Sequence, residues 1–202
     1  PVYFRNQPVG CTSTIIYQIY QEKMADIPKE IAGLMCSAII SDTLLFRSPT
    51  CTPFDVEAAK RLAVIAGIEC ESYAREMFAA GSDLQARTPE EIFYQDFKQF
   101  EFGDWNIGIG QITSMSSEEL GHIKQRLMPY MEQVFAKHDA DMVFFMLTDI
   151  LSESSELLCY GKGSAELIQE AFGQKVVQNS ALLPGVVSRK KQLVPSFMAA
   201  IN

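Results

Sequence analysis

Apolar residues recur every three or four positions through most of the first eighty residues. In parts of the remainder they recur every second position or in unbroken runs. The first spacing predicts helices with one buried face, the second predicts strands. Residues 2–5 read as a short strand, followed by a turn at Pro8 and Gly10. Residues 11–23 read as a helix that groups Ile15, Ile16, Ile19 and Tyr20. Pro28 suits a first helical turn, where its missing N–H is not needed. The helix it opens carries Ile31, Met35, Ala38 and Asp42 at steps of four, three and four, which places them on one face. Thr52-Pro53-Phe54-Asp55 starts a third helix, with Thr52 as N-cap and Asp55 in the first turn, and Gly67 ends it. A shorter helix over 70–80 closes at Gly81.

Gly81-Ser82-Asp83 marks a shift in composition. It predicts a linker over 81–88, between a helical part over 1–80 and a separate domain over 89–202. Thr88 to Glu91 forms a capping box that restarts structure. Residues 105–113, WNIGIGQIT, alternate with Ile107 and Ile109 on one face and Gly108 and Gly110 on the other. A long helix capped at Ser116 runs to about 137, with Pro129 as a kink. Residues 142–147, MVFFML, are an unbroken apolar run and predict a central strand buried on both faces. Weaker strands over 156–160 and 176–177 flank a helix over 164–172. Residues 185–188 read as the last strand before a short C-terminal helix.

The chain is 48% apolar, enough for a packed core. Its net charge of -8 argues against general nucleic-acid binding, which needs Lys and Arg in excess to neutralise phosphates. No apolar run approaches the length of a membrane span, and the start lacks the charged-then-apolar layout of a signal peptide. The five cysteines form no CxxC pair and read as reduced thiols, consistent with a cytoplasmic protein.

Within this frame a few residues carry candidate chemistry. Asp42 stands among Ala38, Ile39, Ile40, Leu44, Leu45 and Phe46. An isolated carboxylate in such surroundings needs a partner, either a hydrogen-bond cluster or a cation. Arg189-Lys190-Lys191 is the one run of three basic residues, and it follows the apolar Gly185-Val186-Val187. It is either a solvated charge run or an anion site, since Arg takes phosphate oxygens bidentately and Lys supplies a point charge. Strand alternation would put Arg189 and Lys191 on one face and Lys190 on the other. His122 and His138 read as a polar helix face and a helix end, Asp149 as a turn or cap, and Gly161-Lys162-Gly163 as a turn. Ser13 and Cys51 have no His partner and are not assigned as nucleophiles.

Three separated strings carry a resemblance: VGCTSTIIYQIY, EIAGLMCSAIISDTLLFRSPTCT and GVVSRKKQLVP. Together they resemble the manganese-dependent, family II inorganic pyrophosphatases of the DHH phosphoesterase group, from Pro1 to about Pro195. The resemblance implies an α/β fold. The helical remainder of a DHH-type domain would be followed by a complete, smaller α/β C-terminal domain with a mixed sheet. It makes Asp42 a metal ligand of a dinuclear Mn²⁺ or Co²⁺ centre, with Mg²⁺ accompanying the substrate. Arg189 and Lys190 become substrate-binding catalytic residues, with Lys98 in QDFKQF as the third. On this reading the ions lower the pKa of a bridging water that attacks pyrophosphate. The family's His-and-Asp motif, its central Asp and its DHH motif would lie before Pro1, so the chain by itself is expected to be inactive. The parent would be a cytoplasmic homodimer with no nucleic-acid or membrane partner. For the two assigned basic residues to converge on substrate, the strand must end at about Ser188 and the backbone must turn. A short-chain polyphosphate phosphatase of the same group, or a non-catalytic anion-binding module, remains the alternative.

Overall fold

The computed structural model describes residues 2–81, 84, 86–136 and 140–201. They form two compact units, residues 1–81 and 82–202. Ser82, Asp83 and Gln85 of the expected linker, the expected helix end at Lys137, and His138 lie outside the described residues.

Unit 1 is helical: α1 (Thr12–Glu22), α2 (Lys29–Asp42), α3 (Pro53–Ala66) and α4 (Cys70–Gly81). The α3 boundaries follow from local chemistry. Thr52 and Asp55 form a reciprocal capping box, Pro53 takes the first position, and Gly67 closes the helix at φ 70°. Residues 2–5, expected as a strand, have no regular structure, and Val2, Tyr3 and Phe4 are exposed. Among the described residues this unit has no strand to complete their hydrogen-bond ladder.

The expected face of α2 is also corrected. Its buried stripe runs through Ala32, Met35, Cys36, Ile39 and Ile40, while Ile31 and Asp42 are exposed. The carboxylate that unit 1 buries is Asp55, fully enclosed. Its Oδ2 accepts from the amides of Gly10 and Thr52, both at 2.8 Å, and from Thr52 Oγ1 at 2.7 Å. Its Oδ1 accepts from Thr14 Oγ1 at 2.5 Å and from the Cys11 amide at 3.3 Å. One side chain thus ties the start of α1 to the start of α3. A Cβ at position 10 would meet Thr43 Cγ2 at 2.9 Å and Asp55 Oδ2 at 3.1 Å, so only glycine lets that amide come so close.

Unit 2 is a five-stranded mixed sheet in the order β1 (Phe97–Phe102), β2 (Trp105–Ser114), β3 (Met142–Asp149), β4 (Ser154–Tyr160), β5 (Ser180–Pro184). β2 and β3 pair in parallel and the other neighbours are antiparallel. The parallel pair requires a crossover, supplied by α6 (Ser117–Phe135), which Ser116 caps. α5 (Pro89–Tyr94) and α6 cover one face through Phe93, Ile123 and Leu127. α7 (Ser164–Phe172) and α8 (Val194–Ile201) cover the other through Ile168 and Phe197. β3 is therefore apolar on both sides, as its unbroken run requires. Gly108 and Gly110 leave space for the rings of Phe97 and Phe145, each of which lies within 2.4 Å of where a Cβ would stand.

Two expected strands are corrected. Val177 makes only an isolated bridge to Ser180. Residues 185–188 are irregular, because β5 already ends at Pro184, which has no N–H to extend the ladder. The chain then enters a π-helical turn, Arg189–Leu193, that leads into α8.

Burial raises the pKa of the Asp55 carboxyl, but its hydrogen bonds from Thr14, Thr52 and Gly10 outweigh that, and the net shift is downward. A depressed carboxyl stabilises the fold above its unfolded pKa, and that stability is lost as pH falls through the folded value. We expect Asp55→Asn to cost about 2–4 kcal/mol at neutral pH, the range for breaking a buried polar network. It should also flatten the acid limb of a melting-temperature profile below the ordinary carboxylate range. A steep acid limb that survives the substitution would assign acid sensitivity to other groups.

Candidate functional site

In unit 1 the candidate is the turn after α2. Asp42 is exposed at the helix end. Thr43, fully buried, follows it; its Oγ1 donates to Ile39 O at 2.6 Å and accepts from the Phe46 amide at 3.2 Å. Leu44, Leu45 and Phe46 then run consecutively in the left-handed region, at φ 49°, 50° and 69°. Each such non-glycine residue costs on the order of 1 kcal/mol and persists only where its surroundings over-determine it. Here the Leu45 amide bonds Ile40 O and the Ser48 amide bonds Thr43 O, both at 2.8 Å, and Leu45 is itself buried. Nothing in the letters LLF announces this conformation. Beside the turn, burial and then a hydrogen bond to Asp42 push the Cys11 thiol up to about 11. At neutral pH the thiol is therefore protonated.

Whether unit 1 fits a metal centre depends on its donor set. Among the described residues no group of three or more His, Cys, Asp or Glu side chains is placed to hold an ion. Asp42 is one oxygen donor, and a dinuclear centre needs several to fix its geometry. The chain's described residues do not make such a centre by themselves.

In unit 2 the candidates lie on β1 and on the π-helical turn that Arg189 ties to it. The Arg189 guanidinium is almost wholly buried, with its side chain 8% exposed. Its Nη2 donates to Asp96 Oδ1 at 2.8 Å, and its Nη1 donates to Asp96 O and, at 3.1 Å, to Ile109 O. Ile109 is the cross-strand partner of Lys98. Arg189 therefore clasps the backbone on either side of that lysine: Asp96 two residues earlier and Ile109 opposite. In β1, Lys98 shares a face with Phe100 and Phe102, which pack in the same cluster as Val186 and Leu193 at the basic turn. Lys190 and Lys191 are both exposed on the turn. Neither strand alternation nor parallel convergence describes this arrangement: the backbone turns after Ser188, as convergence requires, but Arg189 points inward and the two lysines outward.

The remaining candidates have structural roles. Asp149 Oδ1 accepts from the amides of Leu151 and Ser152 at 2.9 and 3.2 Å, a turn cap. Gly161 and Gly163 adopt φ 111° and 88° in the turn before α7. His122 is exposed on α6. Sequence reasoning passed over Asp96, although it stands two residues before Lys98. It also passed over Gln111, a polar residue on the face that Ile107 and Ile109 define; both signals were in the pattern.

Residues 75–200 match the DHHA2 domain. The manganese-dependent inorganic pyrophosphatase of Bacillus subtilis (strain 168) is 46% identical over the whole chain, which covers 65% of it. The cobalt-dependent inorganic pyrophosphatase of Clostridium perfringens is also 46% identical, and the chain covers 37% of it. The chain thus spans less than two thirds of these curated relatives. The crystal structure of a Methanococcus jannaschii protein assigned to the family II inorganic pyrophosphatases superposes over the whole chain, with a TM-score of 0.81, 40% identity and 68% of that protein covered. By domain, sequence and fold, the chain belongs to the family II inorganic pyrophosphatases and carries their DHHA2 domain.

Proposed function

We propose that the chain forms the substrate-gripping part of a metal-dependent inorganic pyrophosphatase, which hydrolyses diphosphate to two phosphates. Lys98, Arg189 and Lys190 bind pyrophosphate, and Asp42 contributes one carboxylate to a metal centre completed by ligands outside the described residues. The observation that carries this reading is the clasp of Arg189 around the Lys98 strand. It ties the turn that carries Lys190 to the strand that carries Lys98, in an otherwise acidic protein. Two of the guanidinium nitrogens are committed to Asp96 and the strand backbone. The group therefore acts from a fixed position, which is how a preorganised donor stabilises developing negative charge. Lys190, exposed next to it, supplies a mobile point charge.

The net charge of -8 supports a small anionic substrate held by a local basic cluster over a nucleic acid. Among the described residues no helix is long and apolar enough to cross a membrane. The same reading extends to a cytoplasmic homodimer of the longer protein, testable by sedimentation.

The chain alone should release no phosphate from pyrophosphate, even with excess Mn²⁺, because one carboxylate cannot position the ions. Steady metal-dependent turnover by the purified chain would refute this. In a protein extended to the length of its relatives, Lys190→Gln should cost about 2–4 kcal/mol of transition-state stabilisation, and Lys191→Gln under about 1 kcal/mol. Equal effects would mean that the turn is only a diffuse basic field. Faster hydrolysis of tripolyphosphate than of pyrophosphate would shift the assignment to a polyphosphate phosphatase.

The Asp96 pairing gives a separate test. Asp96→Asn leaves a buried guanidinium without its counter-charge, and we expect about 1–2 kcal/mol of lost stability, discounted because Asp96 is 48% exposed. An unchanged denaturation midpoint would show that the carbonyls alone hold Arg189.

A further inference from the structure

The basic turn is preceded by a segment that no strand supports. Residues 185–188 lie beyond β5 and belong to no ladder, yet their backbone groups are satisfied. The Gly185 and Val186 amides bond Glu153 O and Leu183 O. Gln192 spans the segment: its Oε1 accepts from the Val187 and Ser188 amides at 2.9 and 3.0 Å, and its Nε2 donates to Gly185 O at 2.7 Å. The Ser188 carbonyl accepts from the Gln192 and Leu193 amides of the turn, and the carbonyls of Val186 and Val187 are met from the sheet. Gln111 Nε2 donates to Val187 O at 3.0 Å and Gln111 Oε1 accepts from the Arg189 amide at 3.4 Å. A carbonyl and an amide two residues apart, bonded by one partner, is the pattern of a parallel strand pair. The Gln111 side chain takes the place of a strand residue opposite Ser188.

The donor directions are fixed. Ser155 Oγ donates to Val186 O at 2.6 Å, which uses its proton. Thr148 Oγ1, 2.8 Å from Ser155 Oγ, must therefore donate to it. Thr148 Oγ1 can then only accept from Gln111 Nε2, which lies 3.0 Å away. The Gln111 amide is held in one orientation by a relay across β2, β3 and β4, and a flip would set oxygen against the Val187 carbonyl. Thr148 and Ser155 are both fully buried. Polar groups on an otherwise apolar face are costly unless each is satisfied. Here the relay ends on the backbone of the segment that leads into the turn. Ser188 is extended at φ -123° and ψ 115°, and the π-helical turn begins at the next residue. Gln111 holds the chain at the point where its direction changes.

We propose that Gln111 is a positioning residue for the anion site: its strand-mimicking amide, oriented by Thr148 and Ser155, sets where Arg189 and Lys190 stand. This rests on the reading of Lys98, Arg189 and Lys190 as a pyrophosphate site. The test is the affinity of the chain for magnesium pyrophosphate, measured by titration calorimetry, in the wild type and in Gln111→Met. The substitution keeps the length of the side chain and removes both bonds to the segment. We expect affinity to fall about tenfold, the scale of one to two geometry-fixing hydrogen bonds. Ile123→Ala, in the core of the opposite face, lowers the melting temperature and should leave affinity within about twofold, so general destabilisation is separated from positioning. Should Gln111→Met not fold, Ser155→Ala removes the bond to Val186 O and the acceptor that orients Thr148, and should weaken binding about threefold. Unchanged affinity in either variant, with a binding wild type, overturns the inference and leaves the relay purely structural. A wild type that does not bind pyrophosphate overturns the site reading itself, and this inference with it.

Discussion

A guanidinium taken out of water must be surrounded by acceptors, and Arg189 imposes that constraint on unit 2. Burial of that charge is tolerable only with Asp96 and the carbonyls of Asp96 and Ile109 in place. Those acceptors fix three things together: the start of β1, the β1–β2 register opposite Lys98, and the entry to the π-helical turn. The basic edge follows from an inward arginine that organises and outward lysines that remain available. Such a division suits an anion site, where one charge must be fixed and another must adapt.

Unit 1 divides its carboxylates the same way. Asp55 is enclosed and saturated with donors, and so has no lone pair to spare for a ligand. Asp42 is exposed at the end of α2, ahead of three left-handed residues whose strain is held by buried Thr43 and Leu45. The carboxylate that looked buried from its neighbours is the exposed one, and the one that looked like an ordinary helix cap is the hub.

Much of this was legible in the letters, for identifiable reasons. Local rules set the helix ends: Thr52-Pro53-Asp55 and Gly67 bound α3, and Ser116 starts α6. Burial on both faces made β3 an unbroken apolar run, and the small residues of β2 marked where rings pack. What failed depended on partners distant in sequence. Residues 2–5 have strand-like letters but no neighbouring strand in their unit, and residues 185–188 owe their extended path to Gln111 and Gln192 rather than to a ladder. The inward turn of Arg189 depends on Asp96, 93 positions earlier, and no local pattern encodes it. The three strings that carry the resemblance pointed to Asp42, Arg189 and Lys190 as candidates without their orientation.

The central claim is that a fixed Arg189 and the neighbouring lysines form one anion site at the β1 edge. The most direct measurement is a nitrogen-15 NMR titration of the chain with magnesium pyrophosphate, following backbone amides and the arginine and lysine side-chain nitrogens. The account predicts saturable shifts centred on Lys98 and on residues 189–191, with the signals of unit 1 unmoved. Saturable shifts centred elsewhere in either unit, with the basic turn silent, would contradict it.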